Sequence, residues 1–315
     1  MLGVIFFIIN FVKMFIRIFY SLYTPQKTMT RHIINRLLAA VATTLCIATA
    51  SAINPSQIRF HNERTDTTAI TEMLKKVAAM HPQTPRQAVT TFAEMLVGKP
   101  YKAGTLEGKP EMLTVNMDEF DCTTFMETVM ALAMTVDQQR TSWQDFVYNL
   151  EQLRYRQGHA DGYSSRLHYI SDWIMTNGHK GYVADVTERV GTPSYMVKTI
   201  DFMSRNADKY PALADSTNLA GVKSMEMGYR SHRFPYLKSP SVKNAKLADG
   251  YMVALITNTK GLDATHVGFI KMVDGVPHLL HASSKAGKVV IDPLTLADYL
   301  RRNHTCAGIR VIQLD

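Results

Sequence analysis

Phe120-Asp121-Cys122-Thr123-Thr124-Phe125, continued by Met126-Glu127-Thr128-Val129-Met130-Ala131-Leu132-Ala133, is the stretch around which this chain is organised. Phe125, Val129, Leu132 and Val136 recur at intervals of 4, 3 and 4, the spacing of one face of a helix. Asp121 can accept from the free N–H groups of a first turn, which predicts a helix capped by Asp121 and beginning at Cys122. The thiol then meets the positive end of the helix dipole, which favours thiolate over thiol. On that basis its pKa is expected to fall from ~8.5 into the range of roughly 3.5–7.5. A buried structural cysteine fits the same stretch, so a partner base has to decide between the two.

Upstream, Ala69-Ile70-Met73-Leu74-Val77 and Ala88-Val89-Phe92-Met95-Leu96 predict two helices, separated by His81-Pro82-Gln83-Thr84-Pro85. Thr84 before Pro85 suits the second helix start. A turn-rich segment, Gly98-Lys99-Pro100-Tyr101-Lys102-Ala103-Gly104, follows. Downstream, a further helix is predicted over Trp143 to Tyr155. The segment Gly158 to Asn177 is polar and aromatic, with Tyr163, Arg166, His168, Tyr169 and Trp173, and reads as a groove lining or a surface helix. Residues 195–210 read as helical. Residues 211–246 read as an irregular stretch carrying Lys223, Arg230, Arg233, Lys238, Lys243 and Lys246.

From Asp249-Gly250 onward the pattern turns to strands: Tyr251–Ile256, Thr265–Val273, Val276–Ser283, Lys288–Ile291 and Ala307–Gln313. Helices first and an antiparallel sheet second make an α+β arrangement. Within it, Val273-Asp274-Gly275-Val276 is a two-residue hairpin signal, because the mirror-image turn needs positive φ and Asp-Gly supplies it. Pairing Val273 with Val276 sets Gly268 opposite His281 and His266 opposite Ser283. His266 and His281 then project from one sheet face as diagonal neighbours, while His278 points the other way. Gly268 leaves space for an imidazole to lean across. A thiolate attacking a carbonyl carbon, an imidazole shuttling the proton and a third polar group orienting that imidazole form a coherent set. Cys122 is the nucleophile of that set, His266 the base and acid, and His281 the orienting residue. Backbone N–H groups at the helix start, Cys122's included, can hold the oxyanion.

The chain has 315 residues, is 46% apolar and carries a formal charge of +8. Its amino terminus reads as a leader. From Met29, a short basic region (Arg31, Arg36), an apolar run from Leu37 to Ala50 and the triplet Ala50-Ser51-Ala52 have the layout of a secretory signal peptide cleaved after Ala52. Residues 1–28 are read as upstream of the true start at Met29, with a genuine membrane segment as the alternative. Cys46 lacks the small residue that a lipoprotein signal places before its cysteine. Residues 1–52 hold five cations and no acids, so the remainder carries +3, which argues against a nucleic-acid partner. Export to the periplasm or the outside is expected, with no stable membrane anchor after cleavage. A disulfide between Cys122 and Cys306 stays open from sequence alone.

Gly98-Lys99-Pro100-Tyr101, Phe120 to Phe125, Thr265-His266-Val267-Gly268 and His281-Ala282-Ser283-Ser284 resemble, in order and spacing, the motifs of the NlpC superfamily of papain-like cell-wall cysteine hydrolases. The resemblance covers most of residues 66–313 and is strongest to the N-acetylmuramoyl-L-alanine amidase-like branch of exported bacterial proteins. It implies a papain-like core over residues 53–315, with its nucleophile at the N-terminus of a helix packed on an antiparallel sheet. It also implies a peptidoglycan or muropeptide substrate, and Cys122, His266 and His281 as the catalytic set. Tyr101 and Asp121 match positions that contact substrate in relatives, and Thr123 and Ser283 flank the same site. The superfamily more often has Ser-Gly after its cysteine, where this chain has Thr123-Thr124. An insertion at about 140–246 separates the Cys122 helix from the strands. It is expected to form groove walls, with Trp173 stacking on a sugar.

The expected reaction is hydrolysis of the amide between N-acetylmuramic acid and L-alanine, without metal or cofactor. The alternatives are an endopeptidase cutting γ-D-glutamyl–diamino acid bonds and a non-catalytic wall-binding module. A zinc amidase is disfavoured, because no compact His/Glu pattern supplies a third ligand to His266 and His281.

Overall fold

The computed structural model describes residues 58–315; the start at Met29, the cleavage after Ala52 and Cys46 lie outside the described residues. Strand β1 (Ile58–Phe60) pairs in parallel with β2 (Leu113–Val115). Between them lie α1 (Glu63–Ala78), capped by Asn62, and α2 (Pro85–Met95). The Thr84 side chain accepts from the Gln87 N–H with Pro85 in the first turn, so the start predicted from Thr84-Pro85 is the observed one. Then come α3 (Cys122–Asp137), α4 (Trp143–Arg154) and α5 (Ile170–His179).

Helix α3 was expected to bury one face, yet every residue from Thr124 to Val136 is buried. Helices α1, α2 and α4 pack around it and the main sheet closes its remaining side, so no face is left for water. Truncating a side chain inside such a helix, as in Phe125→Ala, costs about 3–5 kcal/mol. The one charge in this buried run, Glu127, is paired with Arg154 of α4 at 2.6 Å, and Arg154 also donates to the Thr114 carbonyl at 2.6 Å.

The main sheet holds β3 (Val183–Asp185), β4 (Ser194–Lys198), β5 (His232–Lys238), β6 (Met252–Thr257), β7 (Ala264–Val273), β8 (Val276–Ser283), β9 (Lys288–Thr295) and β10 (Cys306–Leu314). Its order is β4-β5-β10-β6-β7-β8-β9, with β3 also pairing β10, and every pairing in it is antiparallel. Short helices α6 (Thr187–Val190) and α7 (Phe202–Arg205), then α8 (Ser216–Met227) and α9 (Leu296–Arg302), complete the α-helices among the described residues. All of β6 is buried because both faces are covered. Met252, Ala254 and Ile256 join the core shared with α1 to α5, whereas Val253 and Leu255 join a second core closed by Leu296 and Leu300 of α9.

Two expectations for the middle of the chain are corrected. Of residues 195–210, read as helical, Phe202–Arg205 and Ala207–Lys209 form short helical turns, but 195–198 belong to β4: Tyr195 and Val197 face solvent while Ser194, Met196 and Lys198 are half-buried, a period of two. Inside the stretch read as irregular, α8 forms behind Asp215, whose carboxylate accepts from Thr217 and Asn218, and β5 follows it. Only Val222 and Glu226 of α8 are buried, so its apolar periodicity is too sparse to register in sequence. Residues 140–246 thus supply two core helices and three strands of the main sheet.

Candidate active site

Cys122 is the first residue of α3, and three devices hold it there. Asp121 Oδ1 accepts from the Thr124 N–H at 2.8 Å while Thr124 Oγ1 accepts from the Asp121 N–H at 2.9 Å, a reciprocal capping box. Phe120, just before the cap, lies edge-on to Phe125 with ring centroids 6.2 Å apart, a hydrophobic staple. Phe125 in turn lies edge-on to Phe269 of β7 at 5.7 Å, which seats the helix on the sheet.

The segment before the helix is stitched to both sides of the site. Phe120 donates to the Pro100 carbonyl at 3.0 Å and accepts from the Lys102 N–H at 3.0 Å. The same segment runs along β9, where Gly98 N–H bonds the Val289 carbonyl at 2.9 Å and Val289 N–H bonds the Lys99 carbonyl at 2.8 Å. Tyr101 is thereby fixed beside the cap. Burial, then the charges of Cys122 and Asp121, push its phenol up.

The Cys122 thiol meets the sheet at Val267, whose backbone N–H favours the thiolate, as does Cys122's own N–H. Thr123 Oγ1 lies 4.0 Å from the sulfur. The expected acid shift is not what these surroundings produce: burial, with the Asp121 carboxylate adding to it, pushes the thiol up to about 11. Desolvation of the charged form outweighs the helix end, and the cap that completes that helix end is itself an anion. No hydrogen bond joins the thiol directly to His266 among the described residues. Cys122 and Cys306 are both free thiols, the latter buried at the start of β10 and donating to the Gly308 carbonyl at 3.3 Å.

The two histidines meet as the hairpin predicts. Val273 pairs with Val276 and the register runs back to Phe269 opposite Leu280, across a turn with φ of 49° at Asp274 and 78° at Gly275. His266 Nε2 lies 2.6 Å from His281 Nδ1, with the rings at 88°. Burial and the neighbouring His281 hold His266 down to about 3, and burial holds His281 down to about 4, so both imidazoles are neutral near pH 7.

Two neighbours of this pair escaped the sequence reading. Asp292 Oδ2 of β9 lies 3.5 Å from His281 Nε2, a buried atom with no hydrogen-bond partner among the described residues. The Tyr299 ring of α9 stands edge-on to His281 with centroids 5.5 Å apart. The one available signal was Asp292-Pro293 interrupting a strand pattern. Two expected site residues do not face a groove. Trp173 is fully buried in the main core, because α5 packs inward between the sheet and α4, so it cannot stack on a sugar. Ser283 is buried and its Oγ accepts from the Ala286 N–H at 3.2 Å, holding the turn between β8 and β9. Among the described residues no group of three or more His, Cys, Asp or Glu is placed to hold a metal ion.

Residues 91–309 match the AmiA-like family, described as N-acetylmuramoyl-L-alanine amidase-like. A crystal structure named as an N-acetylmuramoyl-L-alanine amidase from Bacteroides uniformis is similar at 36% identity and a TM-score of 0.70, over 73% of this chain and 99% of that one. A structure from Bacteroides fragilis, provisionally named a xylanase, is similar at 38% identity and a TM-score of 0.68, over 71% of this chain and 100% of that one. A Legionella pneumophila protein of the DUF1460 family shares the fold at 20% identity and a TM-score of 0.60, over 80% of this chain and 95% of that one. No curated protein matches the chain.

Proposed function

The chain belongs to the N-acetylmuramoyl-L-alanine amidase-like family, and from that premise we propose that it is an exported, periplasmic or secreted, cysteine hydrolase of papain-like design. Its substrate is peptidoglycan, and the bond it cuts is the amide between N-acetylmuramic acid and L-alanine. The observation that carries this reading is the 2.6 Å contact between His266 Nε2 and His281 Nδ1 on the hairpin whose Val267 meets the helix-start thiol.

With Nε2 engaged by His281, His266 keeps Nδ1 for the thiol. Thiol and imidazole are both neutral at rest, so the proton moves as the bond forms rather than before it. Cys122 Sγ attacks the lactyl carbonyl carbon of muramic acid while His266 takes the thiol proton. The oxyanion draws on first-turn N–H groups of α3, which have no partner within the helix. Collapse breaks the C–N bond, and His266 returns its proton to the departing alanine nitrogen. The remaining thioester is hydrolysed by a water that His266 deprotonates, which regenerates the thiol and leaves a free carboxylate on the glycan. Tyr101, Asp121 and Thr123 surround the nucleophile and line the substrate's approach.

The test is mass spectrometry of defined muropeptides incubated with the protein and with Cys122→Ala. Free stem peptide together with peptide-free glycan, absent with the variant, is the expected result. Disaccharide-dipeptide fragments would instead assign an endopeptidase, and no product from several muropeptide types would assign a wall-binding module.

A further inference from the structure

Between His278 opposite Thr295 and Leu280 opposite Ile291 the β8–β9 register slips, so that Asp292, Pro293 and Leu294 stand against the single residue Leu279. Such an irregularity bends its strand and re-aims a side chain. Here its geometry is pinned from both sides. The ring N–H at His278 Nδ1 donates to the Asp292 carbonyl at 2.9 Å, and the Leu294 N–H donates to Asp292 Oδ1 at 2.9 Å. One carboxylate oxygen is thus taken by the turn, and the other, Oδ2, is presented to His281 Nε2. His278, which faces away from the histidine pair, finds a purpose as the anchor of this bend.

We propose that Asp292 is a positioning residue that sets the tautomers of both histidines. The argument follows the protons. A carboxylate only accepts, so Asp292 Oδ2, 3.5 Å away, favours the hydrogen of His281 on Nε2, facing it, and leaves Nδ1 as an acceptor. The 2.6 Å contact then requires His266 to donate from Nε2, which leaves His266 Nδ1 with a free lone pair. That lone pair is what a base for Cys122 needs. Without Asp292 the opposite arrangement is equally available: His281 donates from Nδ1, His266 carries its hydrogen on Nδ1, and no acceptor remains for the thiol.

The proposal rests on the hydrolase reading, and it makes an unusual demand of two variants. In Asp292→Asn the Leu294 N–H keeps the amide oxygen, so the amide NH₂ faces His281 Nε2 and enforces the wrong tautomer in both rings. Asp292→Ala leaves the choice open. The isosteric variant should therefore be the more damaged: a loss in kcat approaching about 10⁴-fold for Asn, as when an orienting carboxylate becomes an amide in an analogous triad, against a smaller loss for Ala, with KM unchanged in both. A residue that only supported the fold would give the reverse order.

Nitrogen-15 NMR of the histidine-labelled protein reads the tautomers without any substrate. The expected spectra show hydrogen on Nε2 of both rings in the wild type and on Nδ1 of both in Asp292→Asn. A wild-type His281 protonated on Nδ1, unchanged tautomers in Asp292→Asn, or an Asn variant as active as the Ala variant would each overturn the proposal. A wild type that releases no product would overturn the hydrolase reading alone, since the spectra would still decide the role of Asp292.

Discussion

Gly268 directly faces His281: a Cβ built on Gly268 would lie 2.9 Å from His281 Cβ, and as close to the Leu280 carbonyl oxygen and to Leu279 Cδ1. The backbone there has no freedom to retreat, because β7 is hydrogen-bonded on both sides. Gly268→Ala should therefore displace the imidazole, costing about 1–3 kcal/mol of stability and breaking the contact with His266. Thermal unfolding and muropeptide turnover check this together. A variant that keeps full turnover would show that the pair tolerates the shift.

Both imidazoles are held well below the ordinary histidine range, to about 3 and about 4, so the base proposed at His266 stays unprotonated in mild acid. The acid limb of kcat/KM should accordingly lie well below pH 6.5. The thiol, pushed up to about 11, should be alkylated slowly by iodoacetamide near neutrality, with a rate that climbs steadily to high pH. The assay is made in a Cys306→Ala background. An acid limb near 6.5 combined with a fast neutral alkylation would mean that the thiol and imidazole rest as an ion pair.

Folding stability should fall in the same acid range. His266, His281 and the half-buried His168, also held to about 3, resist protons that the unfolded chain accepts below about 6.5. The unfolded state then binds more protons than the native state, so stability declines as pH drops from about 6.5 toward 3–4, on the order of 1 kcal/mol per pH unit for each histidine. Urea unfolding at pH 7.5 and pH 5 measures the slope, and His266→Gln should flatten it by about a third. A slope unaffected by that change would locate the acid sensitivity elsewhere.

Where one residue decides a local structure, the chain could be read directly. The Asp121 cap, the Thr84-Pro85 start and the Asp274-Gly275 turn are each local, and the turn alone carried the two histidines to the same face. What escaped depends on distant partners. The thiol's environment departs from the helix-end expectation because the helix end is visible in sequence while the sheet that desolvates it is not. The segment Tyr195-Met196-Val197 is a strand because β5 lies beside it, and Arg233 of β5 stacks on the Tyr195 ring at 3.8 Å. Asp292 reaches His281 only through a register slip between two strands, which no periodicity announces.

The buried pair Glu127–Arg154 ties α3 to α4 and, through the Thr114 carbonyl, to β2. Removing one partner leaves the other charge in the core, so Arg154→Met should cost about 3–5 kcal/mol. Adding Glu127→Gln should recover a good part of that loss, because the stranded carboxylate is what makes the single variant costly. Denaturant unfolding of the two singles and the double closes the cycle. Strict additivity would show that the two side chains act independently.

Trp173 is one of two tryptophans and lies wholly inside the main core, whereas Trp143 is partly exposed against Phe60. Its position makes it a packing residue rather than the sugar-stacking residue expected from sequence. Trp173→Ala should cost about 3–5 kcal/mol through the cavity it leaves. Trp173→Phe should leave the ratio of cleavage rates on longer and shorter glycan substrates unchanged, since the ring touches no sugar. In a Trp143→Phe background the remaining fluorescence should resist iodide quenching and should not respond to added muropeptide. A substrate-dependent change in that signal, together with a selective loss on glycan-rich substrates, would mean that α5 opens on binding and exposes the ring after all.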